Sequence, residues 1–401
     1  MSDTVTSLLA EIGAIGADSQ RGGYTRPVYS TAELDLRSWF LGHAAKRGFD
    51  VETDRNGIIW AWSGGVGDGA VVTGSHLDSV PGGGAYDGPL GVASALVAFD
   101  LLTARGVRGS RAIAVFPEEE GSRFGVACLG SRLLTGAIDP DRARALTDGD
   151  GTTFAEASRS AGIDPNHLGP DPQTLARIGT FVELHVEQGR GLVDLNRAVA
   201  VASSILGHGR WRLSFTGQGN HAGTTLMGDR ADPMVAAARL VLAVQAEARK
   251  IGDARATVGR IVPVPGGTNV IASRVDVWLD VRHPDDAVTK LLVHQIAEAA
   301  NAAGQSEGCA VSMTEESFSA TVDFDPLLRD SLSTVLDDAP VLGTGAGHDA
   351  GVLKEHVSTA MLFVRNPTGI SHAPAEVVED ADADAGAIAL ADSLQELLAT
   401  P

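Results

Sequence analysis

Two short apolar runs flank a helix-length stretch with almost no polar face, and this arrangement restricts the fold of the 401-residue chain more than any other feature. Ala70 to Ser75 is one run, ending at polar residues, and Arg111 to Phe116 is the other. Between them Leu90, Ala93, Val97 and Leu101 stand at helical spacing in a segment, Leu90 to Leu102, that is apolar nearly all round. The spacing predicts a buried helix, and strand, buried helix and strand in succession predict an α/β fold. A mixed, mostly parallel sheet with helices on both faces is expected.

The middle of the chain has a different period. Trp211, Leu213 and Phe215 alternate with Arg210, Arg212, Ser214 and Thr216, as in a half-exposed antiparallel strand. Asp232-Pro233 opens a helix expected to run to about Lys250. Val275, Val277, Leu279 and Val281 alternate again, and 286–303 reads as helix. Two helices and several strands in about 110 residues predict a small α+β domain inserted at 208–318 into a larger one built from 1–207 and 319–401. Ala360 to Val364 then returns to buried-strand character, and a terminal helix is expected near 384–398.

Charge excludes more than it proposes. Thirty-one basic against fifty-one acidic residues give a net charge of −20, which repels phosphate backbones and anionic lipid, so neither nucleic acid nor membrane is an expected partner. The first twenty residues, MSDTVTSLLAEIGAIGADSQ, lack a basic leader and read as an amphipathic helix. No apolar stretch reaches the roughly 18–20 residues that span a bilayer. Cys128 and Cys309 are the only cysteines, too few for a disulfide framework or a thiolate metal site. A reducing, cytoplasmic location is expected.

Four stretches carry most of the potential chemistry. In GSHLDSVPGGGAYDGPLG, which follows a buried strand, His76, Asp78 and Asp87 can converge on a cation, and each can equally be a turn residue. In PEEEGSRFG, Glu118, Glu119 and Glu120 follow the next strand; three carboxylates at a buried strand's carboxyl end are costly without a positive partner, and ligands bind at that end of open α/β sheets. In TFVELHVEQGRGL, Val182, Leu184 and Val186 face one side while Glu183, His185 and Glu187 face the other, just before Gln188. In GISHAPAE, His372 follows an apolar strand and reads either as a site residue or as part of a capped loop. Further candidates are His221 in GNHAGTT, Asn269 in GGTNVIAS, Arg282 in DVRHP, and Gly347 with His348 in GTGAGHDAG. The last is not a dinucleotide loop, since no acid follows at the place a βαβ nucleotide site requires. His43, His167, His208, His283, His294 and His356 have no such company and read as structural or surface residues.

In this order the blocks resemble the hydantoinase/carbamoylase branch of the di-metal aminoacylase and carboxypeptidase superfamily, from about Gly22 to the terminal helix. ELHVEQG and EEGSRFG separate that branch from the peptidases, which place a carboxylate where His185 stands. The resemblance implies two divalent cations (zinc, manganese, cobalt or nickel) bridged by Asp87, with His76 and His185 completing one site and Glu120 and His372 the other. It further implies Asp78 as the partner orienting His76, Glu119 as general base and His221 as oxyanion donor. Gln188, Asn269, Arg282 and Gly347 are implied as substrate contacts. Glu118 stands where many relatives carry Asp, a departure that does not touch the ligands. The resemblance also implies that the insert is a ferredoxin-like lid and dimerisation domain. His221 and Arg282 would then reach the neighbouring subunit's site in a homodimer with composite active sites.

The chemistry agrees independently. Imidazoles and carboxylates without thiolate suit metals of borderline hardness, and two cations about 3.5–4 Å apart can activate water and polarise a carbonyl. The expected function is hydrolysis of a ureido or carbamoyl C–N bond in a small carboxylate-bearing molecule, allantoate first and N-carbamoyl-L-amino acids second. An aminoacylase or dipeptidase is the enzyme alternative, and a non-catalytic metal-binding scaffold the alternative of another class.

Overall fold

The computed structural model describes residues 3–399. In chain order its strands are β1 (Asp50–Thr53), β2 (Ile59–Ser63), β3 (Ala70–His76), β4 (Arg111–Phe116), β5 (Ile178–Val186) and β6 (Val199–Ile205). There follow β7 (Gly207–Thr216), β8 (Asn220–His221), β9 (Arg255–Val264), β10 (Val270–Ile271), β11 (Arg274–His283) and β12 (Ala310–Ser319). The last three are β13 (Val322–Asp323), β14 (Val341–Thr344) and β15 (Ser358–Val364). The chain divides into two compact units, one up to Ser204 and from Asp323, the other Ile205–Val322.

The first unit is built on a nine-stranded sheet ordered β1-β2-β4-β3-β5-β15-β6-β13, with β14 paired to β6. Its centre, β4-β3-β5-β15, is parallel, while β1-β2, β2-β4 and β15-β6 are antiparallel. Parallel strands must be covered on both sides, and the residues comply. Ile113, Val115, Val182 and Leu184 pack with Leu90, Leu96, Phe99 and Leu390 from the helices Pro89–Ala104 and Asp380–Ala399. From the alternate positions Phe116 meets Trp60 and Phe181 edge-on, at ring separations of 6.4 and 5.8 Å. The helix expected from its apolar spacing at 90–102 is Pro89–Ala104, with eleven residues buried, which is why it lacks a polar face.

The second unit is a four-stranded antiparallel sheet, β12-β7-β11-β9. Trp211, Leu213 and Phe215 of β7 and Val275, Val277, Leu279 and Val281 of β11 form one core with Leu240, Val244, Leu292 and Ile296. Those last four come from the helices Pro233–Ala248 and Asp286–Ser306, so the alternation along both strands separates a helix-covered face from a polar one. β8 and β10 form a separate two-stranded pair.

The N-terminal reading needs correction. Helix is confined to Val5–Glu11, not the first twenty residues. It stops at Ile12, where Gly16 has φ +69° and buried Arg26 donates to the carbonyls of Ile15 (2.9 Å) and Ile12 (3.1 Å). Helix-terminal carbonyls satisfied by a side chain need no further turn. Among the described residues no helix is long and apolar enough to cross a membrane.

One glycine is demanded by the sheet. A Cβ on Gly74 of β3 would lie 1.9 Å from the Ala114 carbonyl oxygen of β4, whereas one on Gly42 in the helix Thr31–Lys46 would meet nothing within 4 Å. Gly74→Ala is therefore expected to lower stability by about 3 kcal/mol or more through forced strand separation. Gly42→Ala should raise it by about 0.5–1 kcal/mol. Thermal unfolding midpoints moving in opposite directions would bear this out; equal midpoints would refute it.

Candidate metal centre

The carboxyl ends of the parallel strands and the turns beyond them bring together residues far apart in sequence. His76 is the last residue of β3 and is fully buried, and its Nδ1 lies 2.9 Å from the Asp78 carbonyl. His185, second from the end of β5, places Nδ1 3.0 Å from the Val186 carbonyl. A carbonyl only accepts, so each Nδ1 carries the proton and each Nε2 presents a lone pair. Asp87 ends the turn before the helix Pro89–Ala104, and His372 lies on the loop after β15 with φ +56°.

The run of three glutamates is held by its backbone. The N–H groups of Cys128, Leu129 and Gly130, which open the helix Leu129–Thr135, donate to the carbonyls of Glu119 (2.7 Å), Glu118 (3.0 Å) and Pro117 (3.1 Å). Asp78 accepts the N–H of Glu119 on Oδ1 and that of Glu120 on Oδ2, each at 3.2 Å. Its carboxylate stands 3.7 Å from His76 Nδ1, so this residue orients His76 through its main-chain carbonyl and the Glu119–Glu120 turn through its side chain. Glu118 turns away from that cluster: its Oε1 accepts the N–H groups of Arg123 (3.0 Å) and Phe124 (2.6 Å).

Two donor sets meet at Asp87. His76, Asp87 and His185 offer ligand atoms within 4.8 Å of one another, and so do Asp87, Glu120 and His372. Asp87 Oδ1 faces His185 Nε2 (3.2 Å) and His76 Nε2 (3.5 Å), while Oδ2 faces His372 Nε2 (3.3 Å). Glu120 Oε2 is 3.3 Å from His372 Nε2, and Glu119 Oε2 is 3.7 Å from His76 Nε2. The buried Nε2 atoms of His76 and His185, and Oε1 of Glu120, have no hydrogen-bond partner. Orphaned lone pairs converging on one shared carboxylate fit a pair of divalent cations. His76, His185 and Asp87 would hold one, and Asp87, Glu120 and His372 the other.

Electrostatics support the same conclusion. Burial, with Asp87 next, pushes Glu120 up to about 7, and burial with Asp78 pushes Glu118 up to about 8. Burial holds Glu119 well above the carboxylate range, despite nearby His76. Asp87 goes the other way: burial opposes its charge, but the imidazoles of His185, His372 and His76 that face its oxygens hold it well below the usual value. His372 rises to about 9, chiefly through its hydrogen bond to Asp87. Burial disfavours the imidazolium of His76, yet Glu119, Asp87 and Asp78 hold it well above the ordinary value. A cluster that must otherwise take up protons to stay buried is a cluster suited to a cation.

The remaining candidates fall in different places. Gln188 donates from Nε2 to Asp87 Oδ2 and Ser371 Oγ, both at 3.0 Å, so it contacts the shared carboxylate directly. Gly347 is exposed on the loop between β14 and the helix Asp349–Leu353. His221, Asn269 and Arg282 belong to the second unit. His221 pairs across β8-β10 with Val270, and the N–H of Ala222 donates to the Asn269 carbonyl. Arg282 on β11 donates from Nε and Nη2 to Asp280, at 2.7 and 3.1 Å.

Other residues at the centre were less visible in the sequence. The His348 ring lies 4.5 Å from that of His185, and both its nitrogens are buried without partners. Glu183, fully buried, accepts from Ser75 Oγ and the Ala350 N–H, each at 3.0 Å. Its place two residues before His185 on one strand was the available signal. Nothing marked Cys128, whose thiol donates to Glu119 Oε1 over 3.4 Å. Glu187 is not on the site's strand face: it accepts the N–H groups of Gly191 and Leu192 and caps the short helix there.

A model of the peptidase family M20/M25/M40 matches residues 72–396, a span that contains all five donors. The chain belongs to that family. It is 33% identical to the N-carbamoyl-L-amino acid amidohydrolase of Geobacillus stearothermophilus over 400 residues, 97% of each protein. It is 31% identical to the allantoate amidohydrolase of Escherichia coli, covering 98% of this chain and 97% of that one. Among solved structures, a hydantoinase/carbamoylase family amidase from Burkholderia vietnamiensis superposes with a TM-score of 0.88 at 29% identity, over 99% of this chain and 97% of the other. The resemblance carried by EEGSRFG and ELHVEQG thus holds across the whole chain.

Protons and cations compete for the same donors. In the metal-free protein His372 keeps its proton up to about pH 9 and Glu120 up to about pH 7. Binding a divalent cation must displace those protons, so affinity should rise with pH and fall as pH drops. Calorimetric titration of chelator-stripped protein in buffers of different ionisation enthalpy should show proton release at pH 7 that shrinks toward pH 9.5. Binding without proton release at pH 7 would contradict the donor assignment.

Proposed function

We propose that the chain is a di-metal amidohydrolase that cleaves the ureido or carbamoyl C–N bond of a small carboxylate-bearing molecule. The observation that carries the reading is the pair of donor sets sharing Asp87, with Glu119 beside His76, in a chain aligned end to end with ureide-cleaving relatives. Zinc, manganese, cobalt and nickel all suit its donors. Bound cations would supply Lewis acidity, lowering the pKa of water and polarising a carbonyl.

The chain's own groups supply the proton transfers. Water adds to the ureido carbon as Glu119 takes its proton, and Glu119 then passes that proton to the departing nitrogen as the C–N bond breaks. Burial raises Glu119 above the usual carboxylate range, which makes it a stronger proton acceptor than an exposed glutamate. Cys128 and the Asp78-bound backbone hold it in place. Gln188 steadies Asp87. His221 is assigned as the donor to the developing oxyanion, with Asn269, Arg282 and Gly347 as substrate contacts. Asp280 accepts from Nε and Nη2 of Arg282 and so fixes the orientation of the guanidinium. Allantoate and N-carbamoyl-L-amino acids both present a carboxylate next to a ureide; ammonia release from a ureide panel separates them. We assign a cytoplasmic homodimer in which His221 and Arg282 act on the partner's centre.

Glu119→Gln should retain metal and substrate binding but lose about 10²–10⁴-fold in turnover, as removal of a general base does. Glu118→Gln should be far milder, because its Oε1 contacts are to backbone N–H groups that a Gln carbonyl also accepts. Reversed effects would mean the base is misassigned by one residue.

A complementation test addresses the composite site. Glu119→Gln and Arg282→Ala, each inactive alone, should regain about a quarter of full activity after subunit exchange if Arg282 acts across a two-fold dimer. Mixtures that stay inactive would overturn that assignment.

A further inference from the structure

The two donor sets differ in how firmly the fold holds them. His76 and His185 lie at strand ends, at most 1% exposed, and each ring is fixed by its own bond to a backbone carbonyl. His372 sits on a loop, its side chain 48% exposed, in a left-handed backbone conformation rare for a non-glycine residue. Something must keep that loop against the turn that carries Asp87.

Glu376, only 3% exposed, does this with both carboxylate oxygens. Oε1 accepts the N–H groups of Tyr86 (3.1 Å) and Asp87 (3.0 Å), and Oε2 accepts the Ser371 hydroxyl (3.3 Å). Ser371 Oγ lies equally 3.3 Å from Asp87 Oδ2, closing a ring between the two loops. Approach is close enough that a Cβ on Gly84 would fall 2.1 Å from Glu376 Oε1. Burying one more carboxylate beside Asp87 is unfavourable unless it is used, and its partners are all on the loops that carry Asp87 and His372.

We propose that Glu376 is a positioning residue that locks the His372 loop to the Asp87 turn and thereby sets the affinity of the outer cation site, Asp87, Glu120 and His372. The proposal rests on the di-metal reading. The inner site, His76, Asp87 and His185, depends on strand ends and should largely survive without it. Partners one step removed from a metal typically change its affinity by about 10–100-fold.

The test is calorimetric titration of Mn²⁺ into chelator-stripped full-length protein, with electron paramagnetic resonance of the loaded samples. Wild type should take up two ions and give the spectrum of a coupled pair. Glu376→Ala should weaken one of the two binding steps by about 10–100-fold, leave the other near wild type, and give a lone-ion six-line spectrum at one equivalent and above. Glu376→Gln keeps an oxygen for both N–H groups and an amide that can donate to Ser371, so it should bind both ions as wild type does. If the alanine variant does not fold, Glu376→Asp, one methylene short of the Asp87 turn, replaces it with the same expectation. Two unchanged binding steps in the alanine or aspartate variant would overturn the proposal, as would equal loss of both. A glutamine variant as impaired as alanine would overturn it too, by showing that charge rather than position matters. Wild-type protein that binds no Mn²⁺ would instead sink the di-metal reading itself.

Discussion

A single buried carboxylate organises this protein. Asp87 is 3% exposed yet kept ionised, because imidazoles approach both of its oxygens. Each surrounding device works to keep it there. Gln188 and Ser371 donate to one oxygen, Glu376 holds its backbone N–H, and the helix Pro89–Ala104 starts directly behind it. A desolvated charge of this kind is tolerable only when it is paired and hydrogen-bonded, so the geometry of the strand-end cluster is tied to it.

The sheet explains why the partners come from such distant positions. Four parallel strands end on one side, and their terminal residues and following turns deliver His76, Glu119, Glu120, His185 and His372. Neighbouring strands are about 4.8 Å apart, so side chains from adjacent ends converge within ligand reach without any special bend. The acids raised by burial and the histidines raised by the acids are two faces of one condition: too much negative charge in a dry place.

Much of this was legible in the sequence, and the reasons differ by element. Arg111–Phe116 and the buried helix behind His76 were marked by continuous apolarity, and β7 and β11 by strict alternation. The five donors were named from the family resemblance that the motifs carry; position alone marked His76, Glu120 and His185, at or close to strand ends, and left Asp87 and His372 open to reading as turn and loop residues. The first helix was overextended, since Ile12 and Ile15 continue the apolar spacing while the terminating contacts come from Arg26, outside the window. Asp78 is more subtle: the resemblance implied it as the partner orienting His76, and it is the carbonyl that makes that bond while the carboxylate reaches the glutamate turn. Cys128 and Glu376 left no trace, because hydrogen bonds between loops have no period. His348 was a candidate beside Gly347, but nothing in GTGAGHDAG tied it to His185, 163 residues earlier in the chain.

Because the first unit is interrupted by the second, assembly of the centre has an order in time. A chain made from its N-terminus presents His76, Asp87, Glu119, Glu120 and His185 before any of the second unit exists, and β15 and His372 only after it is finished. The strand that carries the last donor must then insert between β5 and β6, already synthesised long before. A nascent chain halted within the second unit therefore contains every member of one donor set, His76, Asp87 and His185, and lacks His372 of the other.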